Sequence, residues 1–381
     1  MSSITVEPKV LADALVAVKP AVAVARVRAL AGVRVTAGIA GASLTAAAAD
    51  VAIKREFPTA GCDGQVDCVV SHGELVKVSK AFAGHPRVDL TVQSDIDGLQ
   101  ILVCSHEQRS ITLQTLRLED FPVFPETDGQ PLVNANGGEL AVAIERAAVF
   151  AGNDPTRPIL CGIDVDWEDG LVLVATDGHR LCVIAAPGEL QDRGQNGQGR
   201  EHPEASNVTI GGRGLLLAAK AMRKADMVSV LTHEGHVIVQ WRSNTWAIGK
   251  VVGKFPYWRE LIPDSLPSRI TIPLAELRSA CDVAVTFLAK GTPARLQVDM
   301  GVILHGRTPN GPCFREHLKG ASAQIDAEDW FEIGFEPQFL HDIARIYTSD
   351  IAVVHLNTAL RPAVFEDNTD RYVLMPLPLT V

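Results

Sequence analysis

Two periodicities alternate along this chain, and they alternate in the same order three times. The segments CVVSHGELVKVSKAFAGHPRVDLTV from Cys68, NVTIGGRGLLLAAKAMRKADMVSVL from Asn207 and FEIGFEPQFLHDIARIYTSDIAVVHL from Phe331 share one pattern. Each passes from a short apolar run, through a break, into apolar positions at helical spacing, then through a loop into another apolar run. That pattern predicts strand, amphipathic helix, strand. A second trio precedes the first: ITVEPKVLADALVAV from Ile4, the stretch Leu140–Phe150, and RITIPLAELRSACDVAVTFLA from Arg269. Its outer members read as strand then helix. The strand of its middle member is less distinct, around Gln130–Val133. The predicted helices cover 8–20, 74–83, 139–150, 213–225, 273–290 and 336–347. Ser71 and Glu74 have capping-box spacing, and Pro273 suits a first helical position. Each repeat closes on a further strand, at Ser110–Leu116, Trp246–Val252 and Tyr372–Leu377.

The repetition predicts an α+β protein of three similar domains, each with two helices on antiparallel sheets. The Pro/Asp/Gly-rich stretch Phe124–Gly129 and the segment Pro263–Ser268 suit boundaries, giving domains 1–128, 129–265 and 266–381. The polar, Gly-rich run Gln191–Ser206 reads as a mobile loop inside the middle domain.

Composition narrows the class. At 47% hydrophobic the 381 residues can bury several cores, but at 5% aromatic those cores are mostly Val, Ala and Leu. The seven cysteines are scattered, without CxxC spacing, and suit buried thiols in a reducing cytosol rather than disulfides or a zinc site. The N-terminus lacks the pattern of a signal peptide, and no apolar run is long enough for a membrane span, so a soluble cytoplasmic protein is expected.

A formal charge of −10 argues against indiscriminate nucleic-acid binding, yet the charge is unevenly distributed. The six predicted helices hold 12 Lys/Arg against 8 Asp/Glu, whereas the rest of the chain is strongly acidic. Their cations include Lys77, Lys80, Arg146, Arg213, Lys220, Arg223, Lys224, Arg278 and Arg345; helix 213–225 carries four and no acid. One reading is a solvated helix face, since Lys and Arg are good helix formers. The other is a helix layer facing the phosphates of double-stranded DNA without regard to sequence.

Candidate chemistry concentrates in Ala175-Thr176-Asp177-Gly178-His179-Arg180-Leu181, which joins the apolar runs Leu171–Val174 and Leu181–Ile184. An Asp-Gly pair between such runs predicts a hairpin. Its polar tip could be a catalytic site, a metal site or a docking surface. Asp177 and His179 could serve a hydrolase, but no second His/Asp/Glu cluster has ligand spacing. Phosphate-loop, nucleophile-elbow and zinc-protease motifs are missing.

The threefold unit, the ATDGHRL hairpin in its middle member and Val373-Leu374-Met375-Pro376-Leu377 together resemble the bacterial β sliding clamp family, the processivity subunit of the replicative polymerase. The resemblance spans nearly the whole chain and includes Gly253–Arg259. It implies a non-enzymatic ring of two three-domain subunits joined head to tail, with helices lining a hole for DNA and no metal or cofactor. It also implies an apolar pocket for a short motif carried by the DNA polymerase III catalytic subunit, clamp-loader subunits and repair proteins. By matching position that pocket comprises Leu160, Thr176, Gly178, His179, Arg180, Leu181, Pro256, Leu261, Val373, Met375, Pro376 and Leu377. The ring interface would set Ile111 and Leu113 against Phe287 and Leu288 of another subunit. Two positions depart from the family pattern: Glu260 stands where Arg is common, and Pro378 interrupts the usual ending. They imply an altered ligand preference, as in a specialised copy that tolerates a pocket-directed inhibitor.

Overall fold

The computed structural model describes residues 2–24, 31–39, 41–94, 100–127, 132–168, 170–190, 207–263, 266–308, 311–326 and 331–379. Each expected helix forms: α1 (Pro8–Val24), α2 (His72–Ala81), α3 (Gly137–Ala148), α4 (Gly212–Met222), α5 (Leu274–Phe287) and α6 (Pro337–Ile346). The strand–helix–strand repeats are realised as Val66–Ser71, α2, Val88–Ser94; Asn207–Gly211, α4, Val228–His233; and Phe331–Phe335, α6, Ile351–Leu356. The indistinct strand of the second trio is short, Val133–Ala135. The Gln191–Ser206 loop lies outside the described residues, as do parts of both expected boundary segments.

Local chemistry explains the helix ends. Ser71 caps α2, its hydroxyl accepting the Glu74 amide at 3.4 Å. Pro337 takes the first turn of α6, where a missing amide costs nothing. Pro273 sits one position earlier than expected. It ends the strand Ser268–Pro273 and serves as N-cap residue, and the Leu274 amide behind it donates to the Asp350 carbonyl at 2.8 Å. Helix α1 runs past Pro20, where the sequence pattern predicts an end, and buries Ala21 beyond it.

Two compact units divide the chain, and the middle third contributes to both. Of the described residues, the first contains those within 2–141, 188–190 and 213–250; the second contains those within 142–187, 207–212 and 251–379. Backbone pairing gives the reason. In the first unit Asn244–Gly249 pairs antiparallel with Val51–Phe57, within a 14-stranded sheet. In the second unit Arg180–Ala185 pairs with Asp370–Leu374, within a nine-stranded sheet accompanied by a four-stranded one. Helix α1 packs on α2 in the first unit, and α5 on α6 in the second.

Both units keep open strand edges. Arg109–Leu116 pairs along one side with Gln100–His106. Along its other side only Thr115 and Leu116 are paired, with Val70 and Val69, which leaves Arg109–Gln114 an open edge among the described residues. In the second unit Gly311–Leu318 borders the four-stranded sheet. Unpaired edges are templates for another chain.

The cysteines are all free. Burial pushes the thiols of Cys68, Cys104 and Cys182 up to about 12 and that of Cys281 upward as well, so they are inert core groups; Cys62 is exposed.

Candidate functional site

The heptapeptide forms the predicted hairpin, Val172–Thr176 turning into Arg180–Ala185. Gly178 supplies a φ of +94°, a conformation that side chains with a Cβ resist. Asp177 is consumed by the turn. One carboxylate oxygen accepts the amides of His179 at 2.9 Å and Arg180 at 3.1 Å, and the other accepts the Arg180 Nε at 3.0 Å. The Thr176 hydroxyl donates to the Arg180 carbonyl at 2.7 Å and accepts the Gly178 amide at 3.1 Å. Asp177 is therefore a turn-forming residue, not a general base. The His179 imidazole stacks on Phe339 with ring centres 6.2 Å apart. Among the described residues no group of three or more His, Cys, Asp or Glu side chains could hold a metal ion.

Arg180 holds the tip in place. Its guanidinium lies 4.4 Å from the ring centre of Phe339 and 5.2 Å from that of Phe150. It also donates to Asp342 at 2.7 Å and to the Val149 carbonyl at 2.8 Å. Its side chain is only 9% exposed. Two aromatic faces and two carboxylates thus hold one planar cation, an arrangement suited to Arg and not to Lys.

The C-terminal segment lies alongside. Arg180 to Val183 pair in register with Leu374 to Arg371, and the Met375 amide donates to the His179 carbonyl at 2.9 Å. Hairpin tip and chain end therefore form one continuous wall. Beside it opens a groove of about 920 Å³. Ten of the twelve residues carried over from the family line it: Leu160, Thr176, Gly178, His179, Arg180, Leu181, Pro256, Leu261, Val373 and Met375. The other two, Pro376 and Leu377, lie outside the lining. Leu377 turns instead to the strand Phe331–Phe335, where its amide donates to Gly334 at 2.8 Å. Glu260, singled out from the sequence, lines the groove as well, whereas Pro378 does not; the structure adds Pro263 and the loop Asn357–Pro362, which carries Leu360 at 79% exposure. An apolar residue in a polar turn between two strands was the available sequence signal for that loop.

The floor under this wall is apolar, with Val174, Leu181, Val183, Phe255, Val364 and Val373 buried together and Trp258 packed against them. Trp258–Leu261 is a single 3-10 turn. Arg259 points away from the groove toward Asp166 at 2.7 Å and Glu168 at 3.3 Å, leaving Glu260 and Leu261 exposed on it.

The nine helix cations do not all do one job. Lys77, Lys80, Arg213, Lys220, Arg223, Lys224 and Arg345 are exposed. Arg278 is exposed as well, but its guanidinium caps the end of α6 through the Ala344 carbonyl at 2.9 Å and the Tyr347 carbonyl at 3.2 Å. Arg146 departs from the expectation. It is 14% exposed and bonds Asp370 at 2.7 Å, Asp367 at 3.2 Å and the Tyr372 hydroxyl, so its charge is neutralised inside the protein and is not available to phosphates.

The carboxylates of that cluster are shifted in opposite directions. Burial opposes ionisation of Asp367, but bonds from Ser349 and Thr348 outweigh it and hold the group below its ordinary value of 3.8. Its stabilisation is complete above that value and is lost as pH falls through the folded-state value. Burial raises Asp370 instead, so its contribution is present in acid and is lost as pH rises. Asp367→Asn should make the loss of stability below pH 3.8 shallower, as measured by urea midpoints along an acid series.

Of the expected interface residues, Leu113 is buried at 7% exposure and Ile111 is half-buried on the open edge of the first unit; Phe287 is 58% exposed and Leu288 buried at the end of α5.

Comparison with known proteins gives this geometry a family setting. The profile of the DNA polymerase III beta subunit, central domain, matches residues 134–257, which contain the hairpin. The β sliding clamp of Streptomyces coelicolor is 25% identical over 331 residues, covering 82% of each chain. That of Pseudomonas putida is 27% identical over 314 residues, covering 80% of each. The chain is thus similar over most of its length to bacterial β sliding clamps, and its middle third matches the central domain of their family. The clamp fold is present throughout, since the crystal structure of the Bacillus subtilis sliding clamp superposes with a TM-score of 0.84 over 100% of both chains at 19% identity. Within this fold ATDGHRL forms one wall of the groove. No helix among the described residues is long and apolar enough to cross a membrane.

Proposed function

We propose that this clamp encircles duplex DNA and tethers the replicative polymerase to it, without making or breaking bonds. The observation that carries the docking half of this reading is the register of Arg180–Val183 against Arg371–Leu374, which brings two segments distant in sequence into one groove. Apolar walls with a few orienting polar groups suit a short linear motif. Its donors would be the DNA polymerase III catalytic subunit, clamp-loader subunits and other motif-bearing proteins. The exposed cations Lys77, Lys80, Arg213, Lys220, Arg223, Lys224 and Arg345 supply sequence-independent attraction for phosphates in an otherwise acidic chain.

The same reading includes three domains over 1–128, 129–265 and 266–381 and a head-to-tail homodimer in a cytoplasmic setting. The open edge near Ile111 and Leu113 would meet the region of Phe287 and Leu288 on a second copy. The experiment is retention on nicked circular DNA after treatment with a clamp loader. Retention on the circle and release on linearisation are expected; equal loss from both topologies would overturn the reading.

Glu260 in the groove favours a second reading, a specialised clamp with altered ligand tolerance. On it, Glu260→Arg changes the affinity for a generic clamp-binding peptide, and equal affinities count against it.

A further inference from the structure

The charges around the groove are unequally committed. Arg180 is neutralised by Asp177 and Asp342, and Arg259, the chain neighbour of Glu260, by Asp166 and Glu168. Glu260 itself is exposed, lines the groove, and has no ion-pair partner among the described residues. The 3-10 turn Trp258–Leu261 fixes this arrangement. Trp258 packs on the apolar floor, the Arg259 guanidinium lies 4.4 Å from the Trp258 ring centre, and Leu261 joins Glu260 on the lining. The groove therefore sets a lone carboxylate directly beside an apolar anchor site. Arg361, on the loop Asn357–Pro362, is the other lining charge with no ion-pair partner among the described residues.

We infer that Glu260 is a specificity-determining residue that selects linear peptides carrying a Lys or Arg next to their apolar anchors. This rests on the docking reading above. A cation placed there gains an ion pair at the edge of an apolar surface, where water screens less than in the open. An acidic residue in the same place meets like charge and is rejected, which is how a groove discriminates between ligands with identical anchors. Arg361 favours an acid where the peptide passes the loop, so the preferred ligand has a polarity as well as a sequence. Glu260 acts on ligand choice and leaves the apolar anchoring to Leu160, Leu181, Leu261, Val373 and Met375.

The test uses the full chain and fluorescein-labelled decapeptides containing two adjacent leucines. Lys, Gln or Glu is placed immediately before or immediately after the pair, and affinity is read by anisotropy. In one of the two placements the Lys peptide should bind about threefold to fivefold tighter than the Gln peptide at low ionic strength. The advantage should shrink as salt is raised. Glu260→Gln should abolish the preference and Glu260→Arg should reverse it toward Glu. Binding of the Gln peptide without a Lys preference in either placement, or a preference that survives Glu260→Arg, would overturn the inference while leaving the docking groove standing. Failure of every peptide to bind would instead overturn the docking reading, and the inference with it.

Discussion

Arg146→Ala should cost the second unit about 3–5 kcal/mol, the range expected when one partner of a buried ion cluster is removed. The guanidinium bonds two carboxylates, the Tyr372 hydroxyl and the Ile346 carbonyl at 3.1 Å. Its loss strands Asp370, whose other oxygen already holds the Ala185 amide at 2.9 Å, in a site where burial disfavours charge. Asp367 suffers less, because Thr348 and Ser349 still donate to it. Urea unfolding should show a lower midpoint at unchanged slope. DNA binding by the folded fraction should keep its salt dependence, because this cation is turned inward. The same substitution at exposed Lys220 should do the reverse, reducing the salt dependence with little effect on stability. A drop in the salt slope for Arg146→Ala with stability intact would return Arg146 to the DNA-facing set.

Arg180→Ala should abolish most of the groove's affinity. The substitution removes ion pairs at 3.0 and 2.7 Å and both aromatic contacts, and it leaves Asp177 and Asp342 without their cation. A destabilisation of about 3 kcal/mol is expected from the broken pairs. The larger effect is on geometry. The His179 carbonyl positions Met375, so a loosened tip shifts both sides of the wall. Peptide affinity should fall by at least about tenfold, since it depends on a preorganised surface. Arg180→Lys should restore little, because a point charge cannot bond two carboxylates and lie flat on two rings. Peptide titration of the folded variants checks this. A Lys variant that binds like the parent would mean that only the charge matters.

What the sequence revealed and what it hid separate along the distance between interacting residues. The helices follow from apolar spacing within a few residues, and Ser71 and Pro337 mark their starts by chemistry confined to one turn. The hairpin was legible because Asp177 and Gly178 satisfy their own turn. Arg180 was placed in the groove by resemblance, but its structural role comes from Asp342, 162 positions away, and Phe339, which no local pattern announces. Arg146 misleads for the same reason, because a cation on a helix reads as solvent-facing until Asp367, 221 positions away, and Asp370 close over it. Leu377 has the right apolar character for the groove but spends its amide on Gly334. The division of the middle third between two units was invisible, since strand pairing with distant segments decides it.

The uneven chemistry of the thiols turns the molecule into its own clock. At neutral pH a thiol-reactive dye should mark Cys62 quickly, while Cys68 and Cys104 in the first unit and Cys182 and Cys281 in the second stay dark until their surroundings open. Timed labelling followed by peptide mapping would then date the opening of each unit separately, without an engineered cysteine. In Arg146→Ala, Cys182 and Cys281 would be the pair whose labelling comes forward.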